Sequence, residues 1–250
     1  LDEVHNTILL SVYACHPTVL NESNLLMSRD LVYGCDKRLH ELLSDVDIMF
    51  LNGACADISS RYSRLASNFE EVDRLGGIWA EAVAASLAEA KPLSEGLTVQ
   101  KTSLFIPPAN FFTPQEREEI LAYLETKIEN CQESQQKREY ISCRSVLQRK
   151  HYGKGKGCDA ELRVIGLGEL VFCSLPFEYA SVDAEALAKG IGERFGKTAV
   201  ICCYSNGYEG YLPSGRPLDR DSGYEDMASG FRSDAKQLVA EAFERMLGDV

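Results

Sequence analysis

Short apolar runs alternate with amphipathic stretches along the chain. Residues 8–14 (ILLSVYA) and 46–51 (VDIMFL) are short, mainly apolar segments that contain β-branched side chains. Between them, residues 31–43 (LVYGCDKRLHELL) place apolar side chains at helical spacing. The pattern predicts a buried strand, a helix and a second strand in this order.

A further helix start is marked at Thr113. Its side chain and that of Glu116 have the spacing of a capping box, and Pro114 occupies the first helical position. We expect this helix to run to about residue 135. Before it, the pattern predicts a helix over 69–90, which Gly76 and Gly77 weaken locally, and a strand over 97–106. After it, the pattern predicts a Lys- and Gly-rich loop over 147–158 and a hairpin over 161–174 that turns at 166–168. The last predicted elements are a helix over 184–195 closed by Gly196, a strand over 198–203 and an amphipathic helix from 233.

This alternation of strands and helices predicts an α/β fold. We expect a mixed, largely parallel sheet flanked by helices. We interpret residues 1–250 as one domain that forms the C-terminal part of a larger one. In open α/β sheets, ligands bind outside the carboxyl ends of the strands, so the functional site is expected there.

Charge and hydropathy narrow the classes of partner. The chain has 250 residues and a formal net charge of -12. An acidic chain repels a phosphate backbone, so we expect no nucleic-acid partner. No apolar stretch reaches the roughly 18 residues of a membrane span, and no signal segment is visible, so we expect a cytoplasmic location without a transmembrane segment.

The nine cysteines do not form a metal or redox motif. Most lie in apolar runs, as Cys173 does in LVFCSLP, and no pair has Cys-x-x-Cys spacing. The pattern predicts buried free thiols in a reducing compartment.

Chemically active side chains follow four of the predicted strands. His16, which precedes a proline, follows the first strand, and Asp57 and Ser59 follow the second. Glu178 comes shortly after the hairpin. The loop after the last strand carries four tyrosines, namely Tyr204, Tyr208, Tyr211 and Tyr224.

Each of these positions also has an ordinary structural interpretation. His16 could be a capping or core histidine, and Glu178 could favour the positive end of the following helix dipole. Asp57 could be a turn or N-cap residue, and the tyrosines could be loop packing. Taken together, imidazole nitrogen with carboxylate and phenolate oxygen is a donor set that suits zinc.

The same segments resemble a known enzyme family. The chain contains HPTVL…SRDLVYG, NGACADISS, LPFEYAS and YSNGYEGYLPS…SGYE in this order. They resemble the successive signature segments of the neutral/alkaline ceramidase family, which are His-Pro-Thr, Gly-Asp-Val-Ser-Pro-Asn, Pro-x-Glu and Gly-Tyr…Tyr-Glu. The resemblance extends from about residue 10 to residue 224.

The resemblance implies a zinc-dependent hydrolase that cleaves a linear N-acyl amide, as ceramidases cleave ceramide to sphingosine and a fatty acid. It implies that His16, Glu178 and Tyr211 bind zinc. Ser59 matches the active-site serine, as nucleophile or substrate-positioning group, and Tyr224 matches a tyrosine that would stabilise the developing oxyanion. We expect Asp57 to orient the loop that carries Ser59.

The chain also departs from that family's pattern. The family's other zinc histidine precedes the His-Pro-Thr strand, and His5 lies too close to that strand to match it. Ser60 and Arg61 stand where the family has Pro-Asn, and Ala56 replaces a glycine. Two alternatives therefore remain: a hydrolase of a smaller, non-lipid amide, or a non-catalytic domain that retains only the binding surface.

Overall fold

A computed structural model describes residues 7–248 of the chain, so His5 lies outside the described residues. Strands and helices alternate along most of this range. The strands are β1 (Thr7–Tyr13), β2 (Val46–Asn52), β3 (Leu97–Ile106), β4 (Cys158–Leu167), β5 (Leu170–Ser174) and β6 (Thr198–Cys202). The helices are α1 (Leu31–Leu42), α2 (Phe69–Ser86), α3 (Pro114–Asn130), α4 (Ser134–Leu147), α5 (Ser181–Phe195), α6 (Tyr224–Ala228) and α7 (Ala235–Gly248).

The strands form one parallel and one mixed sheet, which together with the helices confirms the predicted mixed α/β class. β1 and β2 are a parallel pair, and β3, β4, β5 and β6 form a sheet in that order. Within the second sheet, β5 and β6 are parallel, whereas β3–β4 and β4–β5 are antiparallel. The sheet is therefore less parallel than the sequence analysis expected.

The antiparallel pairing of β4 with β5 has a local cause. β4 and β5 are separated by Gly168 and Glu169 alone, and a connection this short can join only antiparallel strands. Gly168 has φ of 58°, a left-handed conformation that glycine adopts without steric cost. The predicted hairpin is thus present, and it sets the direction of β4 within the sheet.

The two sheets meet at the carboxyl ends of their parallel strands. The backbone N–H of Cys203, directly after β6, donates to the carbonyl of Asn52 at the end of β2 at 2.9 Å. The N–H of Ala56 donates to the carbonyl of Tyr179 at 3.1 Å. These bonds bring the loops that follow β2, β5 and β6 to one edge.

Three apolar clusters hold the layers together. The largest lies between the β3–β6 sheet and helices α5 and α7, where Phe177 and Phe243 are fully buried. A second cluster joins α1 and α2 to one face of β1–β2 through Leu39, Val72 and Trp79. The third packs α3, α4 and α6 against one another.

The expectation that the first strand is buried holds for one of its two faces. Ile8 is 61% exposed, and Leu10 and Val12 on the same face are also exposed, whereas Leu9 packs against the α1–α2 cluster. β1 belongs to a two-stranded sheet that the described residues cover on one side. Successive strand residues point to opposite faces, so only alternate side chains are buried.

The predicted helix over residues 113–135 is two helices. The capping box at Thr113 is present and begins α3, but α3 ends at Asn130. The Glu133 carboxylate then accepts from the backbone N–H groups of Gln135 and Gln136 and begins α4. The apolar spacing is similar on both sides of this break, so periodicity alone gave no sign of it.

Two glycines allow α1 and α2 to approach closely. A Cβ atom at Gly34 would lie 2.2 Å from the Val72 carbonyl oxygen, and one at Gly76 would lie 2.4 Å from the Cys35 backbone nitrogen. Real Cβ atoms do not approach other atoms so closely. Gly76, which lowers local helix propensity, is therefore required by helix–helix packing.

No helix among the described residues is long and apolar enough to cross a membrane. All nine cysteines are free, and seven of them are buried.

We predict opposite stability changes at the adjacent glycines of α2. Gly76→Ala should lower the free energy of unfolding by about 1–3 kcal/mol, because its methyl group overpacks against α1. Gly77→Ala should raise it by about 0.5–1 kcal/mol, because that position is open and alanine favours helix. The nearest atom to a Cβ at Gly77 is Arg38 Cγ at 4.0 Å. Urea unfolding of both variants tests the pair, and equal changes would contradict close packing at Gly76.

Candidate functional site

Backbone pairing beyond the strands assembles the site. His16 forms a parallel bridge with Ser59, and its N–H donates to the Ile58 carbonyl at 3.0 Å. Glu178 forms a second parallel bridge, with Tyr211. Each loop that follows a strand is thus continued by short strand-like pairing, which fixes where its side chains point.

His16 and Glu178 lie at the centre of the site. His16 Nε2 is 3.3 Å from Glu178 Oε2. The Glu178 side chain is 5% exposed, whereas that of His16 is 23% exposed and reaches solvent. Two side chains that are 162 positions apart in the sequence therefore form one polar pair at the carboxyl ends of β1 and β5.

Two further tyrosines complete the surroundings of Glu178. The Tyr204 hydroxyl donates to Glu178 Oε2 at 3.0 Å, and the Tyr208 hydroxyl donates to Glu178 Oε1. Their rings stack with centroids 5.9 Å apart. The sequence analysis noted both tyrosines in the loop after β6 but assigned neither a role, because loop position alone does not reveal their shared partner.

Tyr204 also contacts His16 and a buried thiol. Its hydroxyl oxygen is 3.3 Å from His16 Nδ1 and 3.5 Å from Cys55 Sγ. Its φ is 54°, in the left-handed region that bulky residues rarely adopt. Such strain is commonly found at functional sites, where the surrounding structure holds it in place.

The phenols around Glu178 are held in the neutral form. Burial raises the pKa of Tyr204, and the neighbouring Cys55 and Glu178 add to the rise. Burial and the charge of Glu178 likewise raise the pKa of Tyr211. Burial and the hydrogen bond to Glu178 raise the pKa of Tyr208 to about 12. A neutral phenol keeps its hydroxyl proton, so these tyrosines act as hydrogen-bond donors.

The His16–Glu178 pair has the spacing of two ligands on one ion. Ligand atoms at about 2.0–2.1 Å from a tetrahedral zinc ion are about 3.3–3.4 Å apart. Imidazole nitrogen and carboxylate oxygen are common zinc donors, and Tyr204, Tyr208 and Tyr211 offer phenolic oxygens beside them. Within residues 7–248, no group of three or more His, Cys, Asp or Glu side chains could hold a metal ion. The residues present thus fit zinc in chemistry and spacing, with tyrosine as the remaining donor type.

Ser59 lies beside His16 but is not paired with a base. Its Oγ accepts from the Arg61 backbone N–H at 3.1 Å, which caps a short 3-10 turn over Ser60–Tyr62. Among the described residues, no imidazole or carboxylate is hydrogen-bonded to this hydroxyl. The Ser59 proton is therefore free to be donated to a bound molecule.

Asp57 is held by the start of α5. Its carboxylate accepts from the Ser181 backbone N–H at 2.7 Å and from the Ser181 hydroxyl at 2.8 Å. These bonds fix the loop that carries Ser59 to the helix that follows Glu178. Both oxygens are thus used in positioning the loop.

Tyr211 and Tyr224 line a cavity that also opens onto His16 and Ser59. The cavity has a volume of about 680 Å³, and α4 forms its opposite wall. The Tyr211 and Tyr224 rings meet edge to face with centroids 5.7 Å apart. Every side chain that the sequence analysis selected is thus at this cavity or in direct contact with its walls, and their individual roles stay predictions.

The fold is similar to that of solved ceramidases. Neutral ceramidase from Pseudomonas aeruginosa matches with a TM-score of 0.66 and 16% sequence identity, over 96% of this chain and 44% of that chain. A ceramidase complexed with C2 matches with a TM-score of 0.69 and 13% identity, over 96% of this chain and 45% of that chain.

The chain therefore has a ceramidase-like fold and spans less than half the length of these two structures. At this level of identity the likeness establishes the fold, whereas function depends on the site. No protein-family model and no curated protein matches the sequence.

We predict that Asp57 contributes to stability and not to metal binding. Asp57→Ala should lower the free energy of unfolding by about 1–2 kcal/mol, because it removes the cap on α5. Asp57→Asn retains an acceptor for the Ser181 N–H and should lose less. Zinc content, measured by atomic emission after loading, should be unchanged in both variants. Loss of zinc at unchanged stability would instead place Asp57 at the metal.

Proposed function

We propose that the chain carries a zinc-dependent amide hydrolase site that cleaves N-acyl amides. The observation that carries this proposal is the meeting of His16 Nε2 and Glu178 Oε2 at 3.3 Å, surrounded by tyrosines, on a ceramidase-like fold. Zinc would supply Lewis-acid polarisation of an amide carbonyl and activation of water as the nucleophile.

His16, Glu178 and Tyr211 would hold the ion. Tyr204 and Tyr208 would orient Glu178, since their hydroxyls bind its two carboxylate oxygens. Groups that fix a ligating carboxylate in this way tune both its orientation and its affinity for metal. Cys55 and Tyr204 lie beside His16 Nδ1 and would orient the imidazole in the same way.

The cavity wall would act on the substrate. Tyr224 would donate a hydrogen bond to the carbonyl oxygen as negative charge develops on it, which is the role of an oxyanion-hole donor. Ser59 would donate a hydrogen bond that positions the amide. Asp57 would act indirectly, because it holds the Ser59 loop against α5.

The composition of the cavity favours a polar amide over ceramide itself. Its α4 wall carries polar and charged side chains, among them Gln135, Arg138, Ser142 and Ser145. A long acyl or sphingoid chain requires an extended apolar surface, whereas this wall suits a smaller, polar substrate. The free, buried cysteines support a reducing compartment, and we propose the cytoplasm.

We predict that the two central residues bind zinc. His16→Ala and Glu178→Ala should each lower the zinc affinity of the purified protein by tenfold or more, and each should abolish hydrolysis of short N-acyl amides. His40→Ala is the matched control, since His40 lies on the surface of α1 and bonds to the Asp36 carbonyl. Zinc titration with a competing chelator gives the affinity, and fatty-acid release gives the activity.

A zinc affinity unchanged by His16→Ala would contradict the proposed site. If zinc-loaded protein also hydrolyses neither ceramides nor short N-acyl amides, the non-catalytic binding domain becomes the better interpretation.

We predict that Ser59 positions substrate. Ser59→Ala should leave a measurable turnover number and raise the KM of an N-acyl amide, because the variant keeps the metal ligands and loses one hydrogen bond to substrate. Steady-state kinetics separate the two constants, and Ser86→Ala on α2, outside the cavity, is the control. Loss of nearly all turnover, with zinc affinity retained, would assign Ser59 as the nucleophile.

A further inference from the structure

Three arginines that line the cavity have no ion-pair partner among the described residues. Arg61 lies at the mouth beside Ser59, and Arg138 and Arg149 project from α4 and the residues that follow it. Within the part of the chain that the structure describes, none of these three guanidinium groups forms an ion pair or a side-chain hydrogen bond. Most other arginines do, as Arg74 does with Glu71 and Arg194 with Glu244.

The cavity also carries three carboxylates, Asp57, Glu139 and Glu225, and among the described residues none of them forms an ion pair with the three arginines. Both oxygens of Asp57 are used by Ser181. Glu139 and Glu225 lie together beside Gly223, where a Cβ atom would be 3.4 Å from Glu139 Oε1 and 3.6 Å from Glu225 Oε2. Burial raises the pKa of Glu225, and nearby carboxylates including Glu139 add to the rise. Arginine keeps its charge at every relevant pH.

The arginines also lie close to the reacting groups. The Arg61 backbone N–H bonds to Ser59 Oγ, so its side chain starts two residues from the proposed positioning hydroxyl. Arg149 lines the same cavity as His16 and Tyr211, two of the proposed metal ligands. An anion held by Arg149 would therefore share that cavity with the proposed metal site.

We infer that Arg61, Arg138 and Arg149 bind an anionic group on the amine half of the substrate, so that the preferred substrate is an anionic N-acyl amide such as an N-acyl amino acid. This inference rests on the proposed amide hydrolase. Planar guanidinium groups bind carboxylate and phosphate through paired, charge-assisted hydrogen bonds, and either anion could serve.

The test compares three amides that share one acyl chain. The substrates are N-hexanoylglycine, N-hexanoyl-O-phosphoethanolamine and the neutral N-hexanoylethanolamine, each with zinc-loaded protein. At least one anionic amide should have a kcat/KM about tenfold or more above that of the ethanolamide. The better of the two anionic amides identifies carboxylate or phosphate as the recognised group. If the kcat/KM of the ethanolamide equals that of both anionic amides, the inference is overturned and the proposed hydrolase is left intact.

Variants locate the effect. Arg61→Gln, Arg138→Gln and Arg149→Gln should each raise the KM of the preferred anionic amide about tenfold and leave the constants for the ethanolamide unchanged. Arg216→Gln is the matched control, because Arg216 is exposed, forms no ion pair among the described residues and lies outside this cavity. Unchanged substrate preference in all three variants would overturn the inference.

A binding measurement separates this inference from the proposed activity. If no amide is hydrolysed, the proposed function fails, and calorimetric titration with N-hexanoylglycine and with the phosphoethanolamide still tests the arginines. The anion site holds if one of them binds wild-type protein and the Arg138→Gln and Arg149→Gln variants bind it about tenfold more weakly, with Arg216→Gln unchanged. Absence of binding by both, or equal binding by all these variants, would overturn it.

Discussion

The site depends on the buried carboxylate of Glu178. A carboxylate removed from water is costly unless several polar groups replace its hydration. Here the replacements are the imidazole of His16 and the hydroxyls of Tyr204 and Tyr208, which come from the ends of β1 and β6. The folded chain must therefore bring three strand ends together to accommodate one side chain, and the cavity forms around that meeting point.

The sequence predicts the positions of these residues better than their contacts. His16 and Glu178 could be found because each follows a parallel strand, and the carboxyl ends of parallel strands meet at one edge. The partners of Tyr204 and Asp57 could not be found in this way, although the sequence predicts that Asp57 orients the Ser59 loop. Tyr204 turns towards Glu178 through a positive φ, and Asp57 bonds to Ser181, which lies 124 positions away. Both depend on long-range geometry that no local pattern encodes.

Local sequence patterns also leave some features of the secondary structure undetermined. The strand pattern places β1 correctly, but whether its second face is covered depends on the neighbours of a two-stranded sheet. The glycine pair in α2 predicts a weak helix, yet Gly76 is one of the two glycines at which α1 and α2 pack closely. The break between α3 and α4 depends on one glutamate cap. In each case tertiary packing decides what local propensity leaves open.

The cavity combines two structural units that can vary separately. The parallel strands and their loops supply the His16–Glu178 pair. The opposite wall comes from α4, which packs in the separate apolar cluster of α3, α4 and α6. Chemistry fixed on strand ends and specificity carried by a separate helix is a common way for one fold to serve different substrates. In the proposed hydrolase, the charges on α4, rather than the fold, would therefore decide which amide is preferred.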